Sequence, residues 1–319
     1  MRRYVIRRVA QAIGVLWAAY TVSFLILDYL PGDPVSAMAG QGADQGTADA
    51  AQLARLRAEY GFDKPVLIQY ADYLGRAVRG DFGDSVATGR TVTSTIAGAL
   101  PQTLELAGAA LLLAVIFGGG LALLATYTSL RWLRHALLSL PPLGVSVPTF
   151  WVGLMLVELL SFRARLFPAF GNDGVRGLLL PAVTLAVLSG SMIAQVLSKS
   201  LFTTLGEPYV QTARAKGAGR ARVHLRHALR NASLPALTVL GVLVGQLMAN
   251  SVVVETVFSR NGLGRITADA VSRQDIPVVQ GVIVFASLVF VGVNLAVDLV
   301  YPLFDPRIVP AGGNRWRLT

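Results

Sequence analysis

Five carboxylates, Asp28, Glu105, Glu158, Glu255 and Asp298, lie within or at the ends of long apolar stretches. An ionisable group in such a place is a functional-site candidate, because burying it in hydrocarbon is costly. For Glu105, Glu158 and Glu255 three readings stand. With Asp28 they form an acidic mouth that attracts a peptide's amino terminus, or they pair with outer arginines such as Arg163, Arg260 or Arg265, or are simply exposed to headgroup water. Asp298, four residues after Asn294, suits a hydrogen bond to a neighbouring helix. Polar residues also recur at helical spacing on otherwise apolar runs: Ser191, Gln195 and Ser198 on one, Gln246 and Asn250 on another. They either face an internal polar path or hydrogen-bond between helices. Gly241, Gly245 and Ala249 form a small-residue strip suited to helix packing. None of this is covalent chemistry. There is no G-x-x-x-x-G-K-[ST], no nucleophile elbow, no H-E-x-x-H and no cysteine. His135, His224 and His227 sit in basic surroundings and do not make a metal cluster.

The second chemical signal is basic. "EPYVQTARAKGAGRARVHLRHALRN", residues 207–231, interrupts hydrophobic sequence on both sides. Gly206-Glu207-Pro208 reads as a helix start, with proline in the first turn. Tyr209 to Lys216 can make two turns, which Gly217 and Gly219 break. A second helix from about Arg220 to Arg230 carries Ala221, Leu225, Ala228, Leu229 and Ala232 on one stripe and Arg222, Arg226 and Arg230 on another. Pro235 then opens the next apolar span. A basic amphipathic loop can rest on anionic lipid. A short helix with a small-residue face can instead seat in a groove on a partner. There Ala213 and Gly217 would permit close approach, and Arg214, Lys216 and Arg220 would meet acidic groups at the rim.

The elements that must position these residues are membrane spans. Only 14% of the residues are charged and 54% are hydrophobic, with mean hydropathy +0.57; soluble proteins are about a quarter charged. Six runs, 9–30, 99–127, 136–162, 178–203, 233–258 and 278–304, can each cross about 30 Å of hydrocarbon. The basic "MRRYVIRR" start and the long run after it suit a retained signal anchor with its N-terminus inside. Inside segments then hold sixteen basic and two acidic residues, and outside segments twelve and eleven, the sign of the positive-inside rule. The formal charge of +10 therefore reflects topology rather than nucleic-acid binding. The proline-rich "SLPPLGVSVPTF" at 139–150 predicts a kink or unwinding of the third span, either static or lining the path. The predicted organisation is 1–30, a cytoplasmic segment and first span; 31–98, a long extracytoplasmic segment; 99–304, a five-span core with a cytoplasmic loop at about 204–232; and 305–319, a cytoplasmic tail. In 31–98, "PGDP" and the stretch around 40–50 read as irregular. "AQLARLRAEYGF" and "VLIQYADYLGRAVRG" read as helical, the latter with Ile68, Tyr70, Tyr73, Leu74 and Val78 as an apolar face.

"YVQTARAKG" resembles the coupling segment of bacterial ABC import permeases. Aligned on Gly217, the Glu-Ala-Ala of that signature falls on Gln211, Thr212 and Ala213, and Arg230 stands where the signature ends in proline. "TARAKG…RHALRN…LP" is similar to the variant found in dipeptide and oligopeptide permeases. The outer-loop stretch 62–85 ending in Gly-Asp-Phe-Gly-Asp-Ser resembles the same family. So do 255–281, with Asn261 in place of a proline, "DLVYPLFDPRI" at 298–308, and "YVIRRVAQAI" near the start. The resemblance implies an all-α, six-span type I ABC importer permease in the bacterial cell membrane, with both termini cytoplasmic. It implies half of a pore for dipeptides or short oligopeptides, completed by a second related permease. Two ATPase subunits would carry ATP and Mg, and an extracytoplasmic peptide-binding protein would dock above, with 31–98 as its contact. Glu207, Tyr209, Thr212, Ala213, Arg214, Lys216, Gly217 and Arg220 would form the ATPase-coupling loop. Gln195, Gln246, Asn250 and Ser191 would line the path. No cofactor or metal would bind this chain, which would not be an enzyme. The same architecture importing nickel complexes or glutathione is the near alternative. An ion-driven secondary transporter would need midplane carboxylates or inverted repeats. A receptor or assembly factor docking through the basic loop would bind partners without flux.

Overall fold

The computed structural model describes residues 2–29, 58, 63–172, 174–273 and 275–304. The expectations for "PGDP", the 40–50 stretch, most of "AQLARLRAEYGF" and the 305–319 tail fall outside these residues. The described chain is helical: α1 Arg2–Tyr29, α2 Val66–Ala77, α3 Val92–Tyr127, α4 Arg131–Ser146, α5 Thr149–Arg163, α6 Gly174–Leu205, α7 Pro208–Ala215, α8 Arg220–Val257, α9 Leu263–Ser272 and α10 Ile276–Phe304. Among the described residues, five helices are long and apolar enough to cross a membrane, or six if the bent pair α4 and α5 is one span.

That pair carries the interruption expected of the third span within 139–150. Pro141 and Pro142 remain inside α4. The break comes at Val147, extended at φ −90° and ψ 130°, and Pro148 starts α5 after a bend of 105°. The ring of Pro148 disfavours the helical conformation in the residue before it. The fifth span is corrected. Pro235 does not open it; the helix runs unbroken from Arg220 through a π-helical stretch at Val223–Ala228.

Two compact units divide the chain. The first takes residues 1–110, 148–185 and 247–291. Its core joins Val92, Ile96 and Ala99 of α3, Leu263 and Ala270 of α9, and Val278, Val279 and Val282 of α10. Phe24 packs edge-on against Tyr70 and Tyr73 of α2, and Thr21 shares a 2.8 Å hydrogen bond with the Tyr70 hydroxyl. The apolar face expected on α2 is narrower than predicted, because Ile68 and Val78 are exposed.

The second unit takes residues 111–147, 186–246 and 292–319. Lipid supplies no hydrophobic force between spans, so close van der Waals contact must hold them, and small residues permit it. At the crossing of α3 and α6, a Cβ on Gly118 would overlap the Gly190 carbonyl. A Cβ on Gly190 would lie 3.2 Å from the Ala114 carbonyl oxygen. Below it, Ala122, Leu197, Leu201, Ala228, Ala232 and Ala236 pack α3, α6 and α8 together.

Gly118→Leu should therefore destabilise the folded chain by at least about 1–3 kcal/mol through overpacking. Gly119→Ala and Gly120→Ala, whose added methyls meet nothing within 4 Å, should be neutral. Thermal unfolding midpoints of purified protein in detergent check the contrast.

Candidate functional site: a projecting helix and a buried carboxylate node

The basic segment folds around one glycine. Pro208 occupies the first turn of α7, Glu207 precedes it without a side-chain cap, and α7 ends at Ala215. Gly217 follows at φ +81°, in the left-handed region where a side chain is disfavoured. Two residues hold α7 to the second unit. Val210 is fully buried. The Tyr209 hydroxyl donates to the His227 carbonyl at 3.3 Å and accepts from Asn231 Nδ2 at 2.8 Å. Gln211, Thr212, Arg214, Lys216 and Gly217 are exposed and Ala213 is half-buried. Arg220 is placed differently from the rim role expected of it. Its guanidinium donates to the Tyr127 carbonyl and stacks over that ring, with Cζ 4.7 Å from the centroid.

The stripe expected on the following helix is also rotated. Ala228 and Ala232 are buried as predicted, but Ala221 and Leu225 are exposed, and Val223 and His224 take their place inside. The π stretch from Val223 to Ala228 explains it, since its wider turn breaks the 3.6-residue phase on which the stripe was read.

The polar residues proposed for a path occupy mixed positions. On α6, Gln195 is exposed and Ser198 is buried. Ser191 stands where a Cβ on Gly144 would be, so it packs the α4–α6 crossing. On α8, Gln246 and Asn250 are half-buried one turn apart. Of the expected small strip, Gly241 is buried, Gly245 is half-buried and Ala249 is exposed.

Three of the carboxylates proposed for a mouth differ in burial and in hydrogen-bond partners. Glu158 pairs with Arg163 at 3.0 Å on an exposed surface. Glu105 lies 3.8 Å from Arg260 and is half exposed. Glu255 is fully buried, so it does not line an open mouth. Its carboxylate accepts from the Thr103 hydroxyl at 2.7 Å and from the Gly264 and Arg265 amides at 2.8 and 3.2 Å, tying α3 and α8 to the start of α9. Those amides are helix-end donors with no partner in their own helix, and the negative charge suits the N-terminal dipole. Thr103 completes the joint by accepting from the Leu263 amide at 2.7 Å. Gly262 and Gly264 leave room for the carboxylate, since a Cβ on either would collide with it. Asp28 and Asp298 lie on α1 and α10, and their side chains are outside those described.

Arg260, expected as a partner for the outer carboxylates, does approach Glu105, but its burial was not foreseen, and Asp275 is a site residue that sequence reasoning missed. Arg260 is 1% exposed. It donates to the Gly177 carbonyl at 3.2 Å and to Gln102 Oε1 at 3.1 Å. Burial pushes its guanidinium pKa down, and the charges of Glu105 and Glu255 oppose that shift. Asp275, 2% exposed, sits just before α10 and accepts from the Ser85 hydroxyl at 2.5 Å and from the Val86 and Ala87 amides. It thereby fixes the Gly-Asp-Phe-Gly-Asp-Ser turn. There Asp81 accepts from Arg76 at 2.9 Å and from the Gly83 amide, contacts that hold its carboxyl below the usual range. "DIP" at 275–277 was the available signal: an acidic N-cap followed by proline in the first turn.

Comparison with known proteins fits this architecture. Residues 114–310 match the family described as binding-protein-dependent transport system inner membrane component, and residues 1–107 match its N-terminal region. A Brucella abortus (strain 2308) protein named as a peptide transport system permease is 35% identical over 316 residues, covering 97% of this chain and 99% of that one. The glutathione transport system permease protein GsiC of Escherichia coli (strain K12) is 36% identical over 308 residues, with the same coverage. The fold is similar to that in an inward-facing structure of the MetNI methionine ABC transporter, with TM-score 0.57 and 15% identity over 66% of this chain and 96% of the other.

The chain belongs to the binding-protein-dependent transport system inner membrane component family. It is a multi-pass inner-membrane permease with an ABC importer fold, and not itself an enzyme.

Removing the Glu255 carboxylate leaves two buried helix-end amides and Thr103 without their acceptor. Glu255→Ala should cost about 1–3 kcal/mol for each buried neutral donor it strands. Thr103→Val should cost about 1–3 kcal/mol. Both should lower the thermal midpoint. A Glu255→Ala protein of unchanged stability but weakened substrate uptake would instead return Glu255 to the mouth.

Proposed function

We infer that this chain is one half of a heterodimeric pore for short peptides. A second related permease completes the pore, two ATPase subunits drive it, and an extracytoplasmic binding protein delivers cargo. The observation that carries the cargo assignment is the pair of near-full-length relatives. One is named for peptide transport and the other for glutathione, itself a tripeptide. Dipeptides and short oligopeptides are the proposed substrates, with glutathione as the second reading.

The proposed coupling site is the exposed face of α7 with the turn that follows it, bearing Thr212, Arg214, Lys216 and Gly217, with Ala213 beside it. It is a short, basic surface anchored by Val210 and Tyr209, suited to a groove with an acidic rim. Its proposed side is cytoplasmic, with the N-terminus on the same side and the 80–92 turn outside, in keeping with the charge bias.

The absence of cysteine makes sidedness directly measurable. Lys216→Cys in intact cells should resist a membrane-impermeant thiol reagent, and Thr88→Cys should react. The reverse pattern overturns the orientation.

Function is tested in proteoliposomes holding the complete transporter and its binding protein. Labelled dipeptide should accumulate only with ATP. Thr212→Trp, which puts an indole on the exposed face of α7, should lower uptake at least about tenfold and weaken ATPase-subunit capture. Uptake of glutathione but not dipeptide would select the second reading. Uptake that follows an ion gradient without ATP would overturn the ATP-driven reading.

A further inference from the structure

A helix that ends leaves its last carbonyls without helical partners. At the end of α3, three successive carbonyls, those of Thr126, Tyr127 and Thr128, each meet a cationic or imidazole side chain. His224 Nε2 lies 3.3 Å from the Thr126 oxygen. Arg220 Nη2 donates to the Tyr127 oxygen. Arg134 Nη2 donates to the Thr128 oxygen at 2.8 Å. The Tyr127 ring is held from two sides, by the Arg220 guanidinium over it and by the His224 ring edge-on at 5.2 Å. His224 is 4% exposed, and its Nδ1 lies 3.2 Å from the Arg220 carbonyl, so ring and guanidinium are placed together. Positive groups at this end also complement the negative pole of α3.

Arg220 and His224 belong to the first turns of α8, directly after the glycine break that ends α7. Tyr209 binds α7 to the same turns through His227 and Asn231. Ala228 and Ala232 pack them on Ala122 of α3. From α7 the chain leads covalently only to α6 and α8. The side chains add a third output.

We propose that Arg220 and His224 are positioning residues that clasp the end of α3 to the coupling segment, so that a displacement of α7 moves α3 with it. This rests on the reading of α7 as the ATPase-coupling helix. Arg134 closes the clasp from α4 but is not on the moving segment. The clasp works through donors aimed at carbonyls, with His224 in the tautomer that carries its proton on Nε2, so a replacement that keeps that donor keeps the function. Gln at 224 places an amide N–H near the position of Nε2, whereas Phe keeps the ring and its contact with Tyr127 but donates nothing.

The test uses the complete transporter in proteoliposomes with two readouts. The first is peptide moved per ATP hydrolysed. His224→Phe combined with Arg220→Met should lower this ratio about tenfold with the complex still assembled, while His224→Gln should stay within about twofold of wild type. Equal loss in His224→Gln and His224→Phe, or no loss in the double variant, overturns the clasp. The second is a spin-label distance between Leu112→Cys on α3 and Arg222→Cys on α8, both exposed and in a chain without native cysteine. With the clasp intact the distance should be the same in nucleotide-free and ATP-trapped states. In the double variant it should broaden. A shift approaching one helical turn, about 5 Å, with the clasp intact overturns the proposal while ATPase capture through α7 stands. A constant distance with ATPase capture indifferent to Thr212→Trp overturns the coupling reading and leaves the clasp in place.

Discussion

A helix end buried in protein or hydrocarbon must find partners for backbone groups that the helix itself cannot satisfy, because water does not reach it there. That constraint organises the structure. At the start of α9 the carboxylate of Glu255 takes two amides, and at the start of α10 Asp275 takes the loop that precedes α3. At the end of α3, Arg220, His224 and Arg134 take the carbonyls. Glu255, Arg220 and Arg134 thus act first as caps. A buried charge with several hydrogen bonds is tolerable where an unpaired one is not. Each cap reaches to a different segment of chain, so satisfying a helix end also ties two elements together.

Between the capped ends, the spans meet through small residues. Gly118 against Gly190 and Gly144 against Ser191 bring helices to backbone contact. The alanines at 122, 228, 232 and 236 do the same around Leu197 and Leu201. Larger apolar side chains, such as Leu112, Ile116 and Phe117, point outward on α3, where lipid can solvate them. This inverts the pattern of a soluble bundle and follows from lipid being as apolar as leucine.

Local rules carried much of the architecture. Apolar length located the spans, proline and glycine bounded α7, and Pro148 imposed a break inside the stretch where one was expected. What stayed hidden depends on residues distant in sequence. Nothing near Glu255 announces that Thr103, 152 residues away, and two amides of the next helix will claim it. Arg260 is indistinguishable in sequence from a loop arginine, yet it is almost wholly buried. The misplaced stripe at Ala221 and Leu225 has another cause. The reading assumed α-helical phase, and one wide turn was enough to shift it.

That wide turn has a consequence for how the chain can change over time. A π turn holds one residue more than an α turn, and so acts as an absorbed insertion within a helix that never breaks. The stretch 223–228 lets the first turn of α8 and the span beyond it keep independent rotational settings. The side of the helix facing the clasp and the side facing the other spans need not be in register. Small changes in chain length at this point can re-aim one without turning the other. A lineage of such chains could thereby re-aim the exposed segment before this helix while leaving the packing of the spans untouched.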